Sequence, residues 1–340
     1  MHERIKMKAN YTVEQMNGKK VLIVGGLGFI GSNIAQKAVE LGATVTIFDA
    51  CLDPYGWNFT NIKEIREKIT FIKGDTRDAD AVKQMVQNQD IIYDCAAQIS
   101  HLISVQQPQL DIDITVRGGM NVLEAVRQHN KDAILIYAGT RGVVGKMQIK
   151  PITEEHPTEP IDINGINKLA VEKYYLLYHR IHNMKTCVVR INNTYGERAD
   201  MRRGDYGIVN WFLRKAMLNE QISINGEGLQ TRDYNYIQNV VDAMLLVAQK
   251  QEALGQLFFL GSNEETKFID MCNMILEVTN SQMTIHKNPW DPARKAIEIG
   301  DFVVNPEKIH KMLGWWPKTS LKEGLQKTLA FYKERQLEYF

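Results

Sequence analysis

The apolar run Lys20–Val24 leads straight into Gly25-Gly26-Leu27-Gly28-Phe29-Ile30-Gly31, and a helical pattern follows. Glycines at such a junction remove side chains that would block a tight turn, the close approach of a pyrophosphate, and the packing of helix on strand. The helix then offers its first N–H groups to phosphate oxygens. Two spacings fit: G-x-G-x-x-G at 26/28/31 and G-x-x-G-x-x-G at 25/28/31. A second apolar run, from Thr44, ends on Asp49. A carboxylate there accepts hydrogen bonds from both ribose hydroxyls and repels a 2′-phosphate. Neither neighbour, Phe48 or Ala50, is basic, so the expected ligand is NAD rather than NADP. The plainer alternatives are a simple tight turn and a turn cap. No H-E-x-x-H or C-x-x-C spacing occurs, and no metal site is expected.

Placing these groups takes strands and helices in alternation. Strands are expected at Lys20–Val24, Thr44–Asp49, Ile69–Lys73, Ile91–Tyr93, Ile134–Ala138, Thr186–Ile191 and Leu257–Leu260. They are largely apolar rather than strictly alternating, as strands covered on both faces are. Helical patterns lie between them at Ser32–Leu41, Ala79–Gln87, Val116–Gln128, Ile166–Asn183 and Val240–Gln249. This order predicts an α/β fold with a doubly wound parallel sheet of the Rossmann type. Residues 19–192 plus 234–262 are expected to form the dinucleotide-binding domain. Residues 193–233 plus 263–335 break the alternation and are expected to form a smaller domain over the carboxyl ends of the strands. Residues 1–18 read as a tail ordered only by docking, and Lys150–Pro160 as an exposed connection.

The bulk composition excludes several classes. A content of 44% hydrophobic and 24% charged residues is that of a globular protein. A net charge of +1, from 41 basic and 40 acidic residues, gives no field for steering nucleic acid. Cys51, Cys95, Cys187 and Cys272 are scattered, which suits reduced thiols and a cytoplasmic location. The longest apolar runs, such as Ala243–Ala248, fall far short of the roughly 20 residues of a membrane span. The polar opening residues lack the apolar centre of a signal peptide.

The stretch VLIVGGLGFIGSNIAQKAVELGATVTIFDA resembles the opening of extended short-chain dehydrogenases/reductases, which use the 25/28/31 spacing. Further matches follow in order along nearly the whole chain. Gly74-Asp75-Thr76-Arg77-Asp78 is similar to G-D-x-x-D, whose first Asp faces adenine, and Cys95-Ala96-Ala97-Gln98 to L-A-A-Q, which lies along the cofactor. Val122-Leu123-Glu124-Ala125 fits N-V-L-E-A, RINNTYG at 190–196 fits L-R-x-x-N-x-Y-G, and GEGLQTRDYNY at 226–236 fits G-x-G-x-Q-x-R-D-F-x-Y. Leu313–Pro317 and Leu321–Leu325 resemble the closing L-G-W-x-P and L-x-E-G-L. The resemblance implies an NAD site from Gly25, Gly28, Phe29, Ile30, Gly31, Asp49, Asp75, Thr76, Ala96, Ala97, Gln98 and Lys168. It also implies a nucleoside diphosphate sugar as substrate, with Asn193, Arg232 and, by a looser match, Arg294 toward the diphosphate.

Chemistry in that family relies on a Ser/Thr and a Tyr-x-x-x-Lys. Thr140 stands in the first place and Lys168 in the last, but the Tyr place holds Asn164. A tyrosine there takes a proton from a sugar hydroxyl while hydride passes to nicotinamide. An amide has no proton to exchange near neutral pH, so Asn164 can orient a substrate but cannot be the base. Three readings remain. Another group, with His101 the best placed, carries the proton; or Thr140 and Lys168 suffice through ordered water or the substrate's own groups; or the chain is a non-catalytic sensor. Epimerisation through a transient keto sugar is the first choice, because the Asp-Glu that 4,6-dehydratase relatives place after the threonine is here Arg141-Gly142. Dehydratase or decarboxylase activity is the alternative. Arg141 reads either as a contact to an acidic sugar or as half of an ion pair. A homodimer through Val116–Gln128 and Ile166–Asn183 is implied, with Leu169, Leu176 and Leu177 as contacts or as core. Tyr174, Tyr175 and Tyr178 read as core or interface.

Overall fold

The computed structural model describes residues 7–54, 56–204, 207–262, 264–290, 292, 295 and 298–340. Strand β1 (Lys20–Val24) is followed by α1 (Phe29–Glu40), β2 (Thr44–Asp49), β3 (Ile69–Lys73), α2 (Ala79–Met85) and β4 (Ile91–Asp94). Next come α3 (His101–Gln106), α4 (Pro108–Asp111), a π-helical turn at Ile112–Arg117, α5 (Gly118–His129), β5 (Ile134–Thr140), α6 (Ile163–His182) and β6 (Lys185–Ile191). Four short strands follow, β7 (Asn193–Tyr195), β8 (Ile222–Asn225), β9 (Thr231–Arg232) and β10 (Tyr234–Tyr236), with α7 (Ile208–Met217) among them. Helix α8 (Ile237–Gln249) then leads to β11 (Leu257–Leu260), β12 (Thr266–Lys267) and β13 (Ile285–Asn288).

Seven strands form one parallel sheet in the order β11-β6-β5-β4-β1-β2-β3. Alternate residues of β1 serve the two faces, as strand geometry requires. Val21 and Ile23 pack with Ile34, Ala35 and α8 in one core, while Leu22 and Val24 pack with Val82, Val122, Val126 and Val171 in the other. All four are fully buried. The chain runs outward from β1 through β3 and then crosses to β4 on the other side of β1. That reversal leaves a crevice beyond the carboxyl ends of β1 and β4, where open α/β sheets bind ligands. Away from the sheet, β7 pairs with β10, β8 with β13, and β9 with β12.

Several boundaries differ from expectation for local reasons. Helix α6 begins at Ile163 rather than Ile166 because the Asp162 carboxylate caps it, accepting from the Gly165 N–H at 2.7 Å. The helix expected at Val116 starts at Gly118 and is entered through the π turn. The stretch 150–160 is no simple exposed connection. Ile152 is buried, its N–H donates to Val303 O at 2.9 Å, and Glu154 Oε1 accepts from the N–H of Phe259 in β11 at 2.8 Å. Of the opening residues, Met16 is buried, Tyr11 donates to Asp242 of α8 at 2.8 Å, and the Asn10 N–H donates to Gly314 O at 2.9 Å. No helix among the described residues is long and apolar enough to cross a membrane.

Candidate active site

Four glycines shape the turn after β1, for different reasons. Gly25 has φ +75°, and a Cβ there would lie 2.9 Å from the Ala96 nitrogen at the end of β4. At Gly26 it would meet Ile47 at 2.7 Å, and at Gly31 it would strike the Gly25 carbonyl oxygen. Gly28 is different: a Cβ there would touch only Gly25 O at 3.4 Å, an ordinary contact. Protein packing therefore does not demand glycine at 28, and the open side faces the cleft. Helix α1 has no side-chain cap, and its first internal bond runs from the Ser32 N–H to Gly28 O. The N–H groups of Phe29, Ile30 and Gly31 precede it, and helix-start amides of this kind suit an anion.

This turn forms one end of a cleft of about 230 Å³. Gly25, Gly28, Phe29, Ile30, Gly31, Asp49, Asp75, Thr76, Ala96 and Ala97 all line it, with Trp57 and Ile114 as apolar walls. The indole N–H of Trp57 is buried and finds no acceptor among the described residues. Asp49 is fixed by the N–H groups of Leu27 at 3.0 Å and Cys51 at 2.9 Å, and burial raises its pKa against those two bonds. Asp75 is clamped by Arg77 at 2.6 Å. Gln98 departs from the group. It is buried, its amide donates to Ser100 O at 2.7 Å, and it does not line the cleft. The cradle without side chains, the free helix amides and the carboxylate at the end of β2 are what a dinucleotide needs.

Thr140 ends β5 and accepts from the Gly142 N–H at 3.1 Å. Lys168 is buried, and burial lowers its pKa while the carboxylates of Asp111 and Asp94 oppose that shift. Asn164 is not free. Its amide nitrogen donates to Gln98 O at 2.8 Å and to Asp111 at 3.1 Å, while Asn167 donates to the other Asp111 oxygen at 2.7 Å. Tyr175 donates to Asp94 at 2.6 Å and Tyr178 to Glu124 at 2.6 Å, so neither is available as a replacement phenol. Burial pushes Asp94 up to about 6, against the bonds from Tyr175 and Ala96.

A second cavity, about 150 Å³, is lined by His101, Asp162, Arg141, Gly142, Arg232 and Glu298. His101 Nδ1 meets Asp162 Oδ2 at 2.6 Å. Burial tends to raise the Asp162 pKa, but His101, the Gly165 N–H and Arg141 hold it below the usual carboxylate range. Arg232 reaches this cavity already paired with Glu298 and with Gly300 O, so the expected phosphate contact also has an internal partner. Asn193 lies beside it: its Oδ1 accepts from Arg141 Nε at 2.9 Å, and its amide donates to Asp233 O at 3.2 Å. Arg294 lies outside the described residues. Sequence reasoning missed Asp111, Asp162, Asn167 and Glu298. Only Asp162 had a local signal, as a capping residue ahead of a helix.

Comparison with known proteins agrees with this geometry. The family model described as GDP-mannose 4,6-dehydratase matches residues 22–328. A Methanocaldococcus jannaschii protein, provisionally named UDP-glucose 4-epimerase, is 31% identical over 317 residues, covering 92% of this chain and 98% of its own. The CDP-paratose 2-epimerase of Salmonella typhi is 28% identical over 335 residues, covering 91% and 97%. Among solved structures, the Thermotoga maritima UDP-glucose 4-epimerase with UDP-glucose superposes with a TM-score of 0.85 at 27% identity, covering 93% of this chain and 99% of that one. The Thermus thermophilus UDP-glucose 4-epimerase complex with NAD gives 0.83 at 26% identity, with the same coverage. The chain belongs to the GDP-mannose 4,6-dehydratase family, NAD-dependent nucleotide-sugar epimerases and dehydratases of the extended short-chain dehydrogenase/reductase type.

Proposed function

We propose that this chain is an NAD-dependent nucleotide-sugar epimerase working through a transient keto sugar, with His101 as the group that moves the proton. The observation carrying this reading is the His101–Asp162 pair, which opens onto the same cavity as Arg141 and Arg232. NAD, when bound, accepts a hydride from a sugar carbon and returns it. Gly25, Gly28, Phe29, Ile30 and Gly31 bind the pyrophosphate, Asp49 the adenine ribose, and Asp75, Thr76, Ala96 and Ala97 the walls of the cofactor site. Lys168 holds the nicotinamide ribose, Thr140 positions the sugar hydroxyl, and Asn193 and Arg232 face the diphosphate. Asp162 binds Nδ1 of His101 and leaves Nε2 to accept the hydroxyl proton, the role an orienting carboxylate plays for a catalytic imidazole. A dehydratase needs acid/base groups after Thr140, where a guanidinium and a glycine stand.

The same proposal divides the chain at 19–192 plus 234–262 and 193–233 plus 263–335. The four thiols are free, which supports a reducing, cytoplasmic setting. A homodimer is proposed through α5 and α6, where Leu169, Leu176 and Leu177 are half-buried. The test is to denature purified protein, identify the nucleotide released, and offer nucleotide sugars to the intact protein. Bound NAD with an inverted sugar product supports the epimerase. A dehydrated or decarboxylated product, or ligand binding with no turnover, rejects it.

A further inference from the structure

Arg141 follows Thr140 directly, and its guanidinium is held from two sides. It lies over the Phe302 ring, 5.2 Å from the centroid, and its Nε donates to Asn193 at 2.9 Å. These contacts fix the plane of the fork, and Arg141 lines the second cavity. No carboxylate among the described residues pairs with it within 4.0 Å. Its neighbour Arg232, in the same cavity, is closed by Glu298. Burial, and then the charge of Arg232, pull Arg141 down to about 10, so it stays protonated at neutral pH beside a like charge. Glu298 and Asp162 oppose that shift only through space, so the oriented, half-enclosed guanidinium has no carboxylate bonded to its fork, which a planar carboxylate matches bidentately.

The position of Arg141 decides which anion completes it. The His101 ring stands 3.7 Å from where a Cβ would sit on Gly142, the next residue along. An anion on Arg141 therefore sits beside the proton-transfer group, one hydrogen bond away from the Asn193 assigned to the diphosphate. We propose that Arg141 receives a carboxylate carried on the sugar ring, making the substrate a nucleoside diphosphate linked to a uronic acid. This rests on the nucleotide-sugar reading above and names its substrate class.

Calorimetry on the NAD-loaded protein tests it. UDP, GDP, CDP and dTDP are titrated first to select the base; binding of none would sink the nucleotide-sugar reading itself, and the proposal with it. The glucose and glucuronate esters of the selected diphosphate are then compared. The native protein should bind the glucuronate ester at least tenfold more tightly. In Arg141→Gln that ratio should fall to about one, with affinity for the bare diphosphate unchanged. A native ratio near one overturns the proposal, as does an Arg141→Gln loss shared equally by both esters and the bare diphosphate, which would assign Arg141 to the phosphates. Should the Gln variant fail to retain NAD, Arg141→Lys reads the same ratio. Keeping the charge but losing the fork, it should reduce the preference without abolishing it, and a preference left at its native value would also refute the assignment.

Discussion

Replacing His101 and Asp162 separately tests the proton-transfer assignment. His101→Gln removes the only titratable ring in the second cavity among its described lining residues, and loss of a general base costs about 10²- to 10⁴-fold in rate. Asp162→Asn is a milder change. Asparagine is as good an N-cap as aspartate, so the bond to Gly165 and the start of α6 survive. What is lost is a charge-assisted bond of 2.6 Å to a side chain that is 42% exposed. Such bonds contribute about 1.5–3 kcal/mol. Partial exposure puts this one at the lower end, roughly a 10-fold fall in kcat with little change in KM. Asp162 also gives a pH signature in stability. Its pKa is depressed in the fold, so its contribution is present above the unfolded carboxylate value of about 3.9 and lost as pH falls through the folded one. The Tm gap between native protein and Asp162→Asn should therefore be full at pH 7 and close on acidification. Turnover is measured on both variants from pH 5 to 9, and Tm from pH 7 down to about pH 2, through the window where a depressed carboxylate protonates. Activity of His101→Gln within threefold of the native protein would refute the assignment.

Asp49→Asn should weaken NAD binding by about 1.5–3 kcal/mol while improving relative NADP affinity, since a carboxylate accepting from ribose becomes neutral; equal or tighter NADP binding by the native protein would count against the role. Arg190 and Glu172 form a bidentate pair at 1% and 0% exposure. Arg190→Met should cost about 3–5 kcal/mol in denaturant unfolding, and adding Glu172→Gln should recover part of it, because the charge left alone is the main penalty. Asn164→Tyr should lower both turnover and Tm, as a phenol at a fully enclosed site breaks the bonds to Gln98 and Asp111. A rise in activity would instead make this a degenerate enzyme restored by its missing base.

The sheet was legible because its strands are short apolar-rich runs, nearly unbroken where both faces are covered, as at β1, β4 and β11. Lys20–Val24, Thr44–Asp49, Ile69–Lys73 and Leu257–Leu260 have the bounds that the pattern predicts. Three helices start three residues earlier than the pattern predicts, at Phe29, Ile163 and Ile237. There the start is set by a glycine turn, a capping carboxylate or the end of a strand. That Gly25, Gly28, Asp49 and Asp75 share one cleft was legible for a related reason: a tight turn and a strand end write their demands into neighbouring positions. The second cavity was not. His101 and Asp162 are 61 residues apart, and Arg232 and Glu298 are 66 apart. Nothing in the spacing of either pair announces a contact that only the packing of loops over the sheet creates.

Asn164 illustrates that limit, and its surroundings give an amide at this position a physical reason. Asp111 closes α4 just ahead of the π turn and is fully buried, so its oxygens need donors. Residues 164, 167 and 168 lie on one face of α6, at the spacing where helical side chains are neighbours. Asn164 and Asn167 each donate to one Asp111 oxygen, and Lys168 brings the opposing charge. A tyrosine at 164 has one O–H, which could serve Asp111 or a sugar hydroxyl but not both. With Asp111 in place, an amide, which has two N–H donors, is the better partner. Asp162, which caps that helix, also binds His101. The residue that starts α6 thus also fixes the imidazole beside the second cavity, so one carboxylate ties the helix that carries Asn164 to the proposed proton-transfer group.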